Sequence, residues 1–179
     1  MFAPSLAGST LNIVIVFDLD GCLIDSEKLI RQSYRDAGAD APGDFLTLGH
    51  HEWIVHADRE AIHRRKNAAY LRRLATGPLA LLPPWRVAEM LNEAGHVVAL
   101  LTNAPEGVIR VLAEHAPSWP FMTTCAAVSP AGKTAWLACR GKTGVYVDDQ
   151  EYVKMPGGWR FVHYKGQDAS ELYQQITCP

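Results

Sequence analysis

The stretch Val14 to Glu27, VIVFDLDGCLIDSE, carries an apolar run that ends on Asp18, resumes for one residue, then sets Asp20 before Gly21. A carboxylate away from water is costly unless it is paired or bound to a metal. Two within three residues at the end of a buried run therefore read as a site. Groups of related chemistry follow at comparable places: Thr102 and Asn103 after Val97 to Leu101, and Asp148 with Asp149 after Val145 to Val147. Lys133 comes from a loop and helix start between these last two. The set supplies carboxylates for a hard cation, a hydroxyl and amides for anion oxygens, and an ammonium nearby. That is equipment for phosphoryl chemistry.

Such groups work only if the chain brings them together, and the apolar runs indicate how. Ile13 to Phe17, Val97 to Leu101, Val145 to Val147 and Arg160 to His163 are short, rich in β-branched residues and mostly non-alternating, the pattern of parallel strands covered on both faces. Helical patterns lie between them. Pro84 to Ala94 places Val87, Met90, Leu91 and Ala94 on one face, with Gly95 where a C-cap belongs. Pro105 to His115 repeats Val108, Val111 and Leu112, and Asp168 to Ile176 has Asp168 as an N-cap with Leu172 and Ile176 inward. The expected fold class is α/β, an open doubly wound parallel sheet, whose functional groups gather at the carboxyl ends of the strands. Residues 26–80 break the alternation: they are helical in period, rich in His and Arg, and free of strand-like runs. They read as a helical insertion, leaving residues 1–25 and 81–179 as the core.

With 179 residues the chain has the length of one ordinary domain, or of one domain carrying a modest insertion. Its 17 Lys plus Arg against 19 Asp plus Glu give a net charge of −2, which provides no global attraction to nucleic acid or to an anionic membrane. Cys22, Cys125, Cys139 and Cys178 have no ligand spacing and read as free thiols. The apolar run near the start is too short to span a bilayer and no secretory signal precedes it, so a cytoplasmic location is expected.

In order, DLDGCL, LLTN, a lone lysine and VYVDD resemble the four motifs of the haloacid dehalogenase (HAD) superfamily, over Ile13 to about Asp149, with the helical insertion in the position of that family's cap of the first type. The resemblance implies that Asp18 is the nucleophile that forms an aspartyl phosphate, and that Asp20 is the general acid and base. It implies that Thr102, the backbone amide of Asn103 and Lys133 hold the phosphoryl group. Mg²⁺ would be held by the Asp18 carboxylate, the Asp20 carbonyl and the pair Asp148 and Asp149, with either member of the pair as the direct ligand. An Asp at the second position argues against carbon–halogen cleavage and for hydrolysis of a phosphate monoester. The expected substrate is a small phosphorylated metabolite such as a nucleotide or sugar phosphate, with polynucleotide ends also open. Phosphotransfer, mutase chemistry and a catalytically silent binding module are the alternatives.

The spacings constrain this reading. Asp18 to Thr102 is 84 positions, room for only a small cap, and Lys133 to Asp148 is 15. Lys142 lies in the same interval and competes with Lys133 for the active-site lysine. Within the insertion, His63, Arg64, Arg65 and Lys66 are the candidates for substrate recognition, against the plainer reading of a solvated basic helix face. Two other patterns fall short. Ala127 to Thr134 resembles a phosphate-binding loop without its first glycine, and His51-Glu52 with His56 misses the four-residue spacing of a zinc-protease helix.

Overall fold

The computed structural model describes residues 13–42, 59–105, 107–115, 125–127, 130–139, 143–151 and 153–178. Five strands, β1 (Val14–Phe17), β2 (Val97–Thr102), β3 (Cys125–Ala127), β4 (Gly144–Asp148) and β5 (Trp159–His163), form one sheet in the order β3-β2-β1-β4-β5. Every pairing is parallel. The chain therefore runs outward from β1 through β2 to β3, then crosses back to β4 on the other side of β1. The β1–β4 boundary is the point where strand order reverses, and a crevice opens beyond the carboxyl ends of strands at such a point.

Six helices accompany the strands among the described residues: α1 (Glu27–Asp36), α2 (Arg59–Thr76), α3 (Pro83–Glu93), α4 (Gly107–His115), α5 (Pro130–Cys139) and α6 (Ala169–Thr177). The sheet divides the core by the alternation of its side chains. Ile15, Phe17, Val98, Leu100, Val145 and Val147 pack with Leu91 of α3, Val108 of α4 and Leu172 of α6. Val16, Ala99, Leu101 and Tyr146 point to the opposite face and pack with Leu137 of α5. No helix among the described residues is long and apolar enough to cross a membrane.

The expected helix ends hold with small shifts. Pro83 and Pro84 open α3, and Gly95 beyond its end takes φ +85 while the amide of His96 bonds back to the Leu91 carbonyl at 3.0 Å. Asp168 caps α6 by accepting from the Glu171 amide at 2.9 Å, and Leu172 and Ile176 are buried. Strand β3, three residues of Cys-Ala-Ala, was not anticipated, because so short an edge strand carries no pattern.

The chain on either side of residues 26–80 comes together at one bridge. Ile24 and Leu81 form an antiparallel bridge, flanked by hydrogen bonds from the Asp25 amide to the Ala80 carbonyl (2.8 Å) and from the Leu82 amide to the Leu23 carbonyl (2.9 Å). Helix α2 packs along α1 and also lies against α4. Arg73 pairs with Asp36 at 2.7 Å, and the Arg65 guanidinium donates twice to the Ala37 carbonyl at the end of α1.

Candidate active site

Asp18 lies one residue past β1, and its amide continues the ladder by donating to the Val147 carbonyl at 2.9 Å. The pairing of Phe17 with Val147 sets Asp18 level with Asp148, the last residue of β4. The same alternation turns Leu19 into the core at 0% exposure, which keeps Asp18 and Asp20 on the side away from it. Gly21 then reverses the chain at φ +81, closing the turn with a bond from its amide to the Ile24 carbonyl at 2.9 Å. A Cβ here would stand 2.5 Å from Asp149 Oδ2, so glycine meets two demands at once: the backbone sign and the close approach of a carboxylate.

Lys133, in the first turn of α5, is fully buried and its ammonium is enclosed by oxygens: Asp18 Oδ1 at 2.6 Å, the Tyr146 hydroxyl at 2.8 Å and Asp148 Oδ2 at 3.4 Å. The Tyr146 hydroxyl donates in turn to Asp148 Oδ2, and the Gln150 amide donates to Asp148 Oδ1 at 3.0 Å. Asp149 completes the group. One carboxylate oxygen each from Asp18, Asp148 and Asp149 lies within 4.8 Å of the others. His163 on β5 bonds the Asp149 carbonyl at 2.8 Å.

Three carboxylates beside one ammonium leave two negative charges uncompensated. Burial raises the Asp18 carboxyl above its ordinary range, with the neighbouring Asp148 and Asp20 charges adding to the effect and Lys133 opposing it. Burial raises Asp148 likewise, against Lys133 and the Tyr146 bond, and raises Asp149. An all-oxygen donor set with surplus negative charge suits a divalent hard cation, so the residues present fit such an ion. Cys22, buried beside the turn, has its thiol pushed up by burial and by the surrounding carboxylates, so it stays protonated.

Asp20 is half-buried and accepts from the Tyr70 hydroxyl of α2 at 2.6 Å. Thr102, buried at the end of β2, accepts from the Ala104 amide at 3.0 Å and so shapes the turn in which Asn103 sits. Of the recognition candidates, Arg64 is exposed and pairs with Glu60 at 3.7 Å, Arg65 holds the end of α1, and His63 lies 3.3 Å from the Asn67 amide nitrogen. Lys66 turns inward at 6% exposure, over the rings of Tyr34 and Tyr70. Lys142 and the zinc-protease near miss (His51, Glu52, His56) lie outside the described residues.

Two residues of the site were not singled out in the sequence. Tyr146 stands two positions before Asp148 on a strand, which puts both on one face, and that spacing was a usable signal. Tyr70 carried only a weak one, its place four residues after Lys66 in the stripe Ile62, Lys66, Tyr70 that α2 buries.

No protein-family model matches the chain, and no curated protein matches it in sequence. Solved structures do match in fold. A predicted phosphoglycolate phosphatase from Haemophilus somnus 129pt superimposes with a TM-score of 0.63 at 20% identity, over 96% of this chain and 93% of that one. A HAD hydrolase, family IA, variant 3, from Entamoeba histolytica HM-1:IMSS gives 0.61 at 16% identity, over 92% of this chain and 89% of that one. Protein Tyrosine Kinase A from Mycobacterium tuberculosis gives 0.58 at 23%, over 87% of this chain and 88% of that one. The chain has the HAD fold, and at these identities the likeness extends to the fold alone.

Proposed function

We propose that this protein is a Mg²⁺-dependent phosphatase that hydrolyses phosphate monoesters of small metabolites, such as nucleotides or sugar phosphates, through a phosphorylated Asp18. The observation that carries the reading is the convergence of Asp18, Lys133, Asp148 and Asp149 beyond the carboxyl ends of β1 and β4. Asp18 attacks phosphorus, the bond to the leaving oxygen breaks, and Asp20 gives that oxygen a proton. Asp20 then takes a proton from water as the water attacks the phosphoaspartate, releasing inorganic phosphate and restoring the Asp18 carboxylate. Lys133, already on Asp18 Oδ1, orients the nucleophile and offsets charge on the phosphoryl oxygens, while Thr102 and the Asn103 amide hold others. Mg²⁺, held by the Asp18 and Asp149 carboxylates, the Asp20 carbonyl and Asp148, would relieve repulsion between a carboxylate and a phosphate dianion.

Tyr70 holds the Asp20 carboxylate from α2, so the acid and base answers to the helical segment. Residues 26–80, tied to the core at the Ile24–Leu81 bridge and through α2 against α4, act as a small cap that covers the site. The proposed setting is cytoplasmic, and polynucleotide ends belong among the substrates to be screened. Because one protein sharing this fold is named as a kinase, the product decides between hydrolysis and transfer. Purified protein with Mg²⁺ should release inorganic phosphate from an aryl phosphate and form no new phosphoester when alcohols are added. Asp18→Asn should abolish release; retention of full activity by that variant would end the assignment of the nucleophile. Absence of turnover together with stabilisation by phosphate esters would leave a binding module instead.

A further inference from the structure

Four charged side chains are buried among the described residues, Asp18, Lys66, Lys133 and Asp148, and three of them satisfy one another. Lys66 does not share in that arrangement. It is 6% exposed, and no described carboxylate forms an ion pair with it. Its ammonium lies 5.3 Å from the centroid of Tyr34 and 5.4 Å from that of Tyr70. Two ring faces and the charge of Asp20, which lies outside ion-pair distance, offset only part of the cost of removing an ammonium from water, and a buried charge with no ion-pair partner among the described residues carries a standing penalty. Lys66 also sits beside the catalytic groups, since the Tyr70 that it flanks touches Asp20 through its hydroxyl at 2.6 Å. Asp20 is the group assigned to the leaving oxygen, so this is the side on which the alcohol part of a substrate would lie. Arg64 and Arg65, its neighbours on α2, are engaged with Glu60 and with the Ala37 carbonyl.

We propose that Lys66 is the counter-ion for a second anionic group on the leaving part of the substrate, so that the preferred substrates are phosphomonoesters whose alcohol carries a carboxylate or a further phosphate. The inference rests on the roles given above to Asp18 and Asp20 and adds the substrate class. A ligand anion seated between the two tyrosines would pair the ammonium and recover its desolvation cost, and an uncharged alcohol would leave it unpaired. Discrimination then comes from the penalty attached to the wrong substrate as much as from attraction to the right one.

Three probes of matched length test this: propyl phosphate, the phosphate ester of the corresponding hydroxy acid, and the bisphosphate of the corresponding diol. The Mg²⁺-loaded protein should favour one or both of the charged probes, and which one identifies the second anion as carboxylate or phosphate. Lys66→Met should lower the ratio of kcat/KM on the favoured probe to that on propyl phosphate by about tenfold to a hundredfold, mainly through KM. Lys66→Arg should restore part of it. Without substrate, Lys66→Met should melt no lower than the parent protein, since an unpaired buried charge has been removed. A preference that survives Lys66→Met, or an equal loss on all three probes, overturns the proposal. Calorimetric binding of the probes to Mg²⁺-loaded Asp18→Asn protein, with and without Lys66→Met, reads the contact without turnover. Tight charged-probe binding through Lys66 in a protein that hydrolyses nothing would sink the phosphatase reading and keep this one, whereas hydrolysis of all three probes at equal rates would do the reverse.

Discussion

Two buried lysines lie near the clustered carboxylates, one on the core side and one on the helical side, and they are differently served. Lys133, on α5 beneath the sheet edge, has three oxygens within 3.4 Å, each held by a strand or by the tyrosine between them. Lys66, on α2, has aromatic faces and no ion pair with a described carboxylate. The same ammonium is thus fully paired in one place and, among the described residues, without an ion-pair partner in the other. Burial lowers the affinity of Lys66 for its proton, with only the Asp20 charge opposing, which is the electrostatic counterpart of that openness. The two surroundings differ in kind: the core side is closed by ion pairs and hydrogen bonds, and the helical side surrounds its ammonium with rings.

Removing Lys133 should break the contrast most severely. Lys133→Met leaves Asp18 and Asp148 buried without their cation, a loss of about 3–5 kcal/mol in chemical denaturation, with activity reduced by at least about a hundredfold. The corresponding change at Lys66 carries no such stability cost, so a comparable fall there would erase the distinction. Next in size is the pH dependence of the metal-free protein. Both Asp18 and Asp148 titrate higher in the folded protein than in the unfolded chain, so the folded state binds more protons across that interval. Stability should therefore fall as pH rises from the ordinary carboxylate range, near about 4, toward neutrality, with a drop in Tm on the order of 5 °C. Millimolar Mg²⁺ should flatten the slope; a metal-free Tm that rises over the same interval would contradict the burial of unshared carboxylates.

The two site tyrosines sharpen the comparison with smaller effects. Tyr146→Phe removes a bond shared by Lys133 and Asp148 and should cost about 1–2 kcal/mol in the folded protein. Tyr70→Phe, whose partner Asp20 is half-buried and reachable by water, should cost about 1 kcal/mol or less, while lowering kcat by up to about tenfold because the acid and base loses its hold. Stability measurements and single-turnover kinetics on the pair would separate a residue that builds the site from one that positions a working group.

Much of the candidate site is legible in the sequence. The motif at Asp18 and Asp20 and the ends of β2 and β4 were readable because strands alternate with period two and a parallel sheet gathers its functional groups at one end, whereas Lys133 came with the family resemblance and had Lys142 as a competitor. Strand β3 escaped because three residues of Cys-Ala-Ala are too few to show a period. Tyr146 could have been found from its spacing to Asp148, but a tyrosine inside a buried strand reads first as core.

The amino-acid order by itself determined which residues end each strand and which helix faces are apolar, since these are properties of local periodicity. Only the packing of α2 on α1 and α4 decided that Tyr70 reaches Asp20, that Arg65 holds a helix end while Lys66 turns inward, and that Lys66 has rings beside it and no ion pair with a described carboxylate. Those outcomes depend on where α2, distant in sequence from the strands that carry the site, comes to rest. A helix's own 3.6-residue period carries no information on what stands opposite each of its faces.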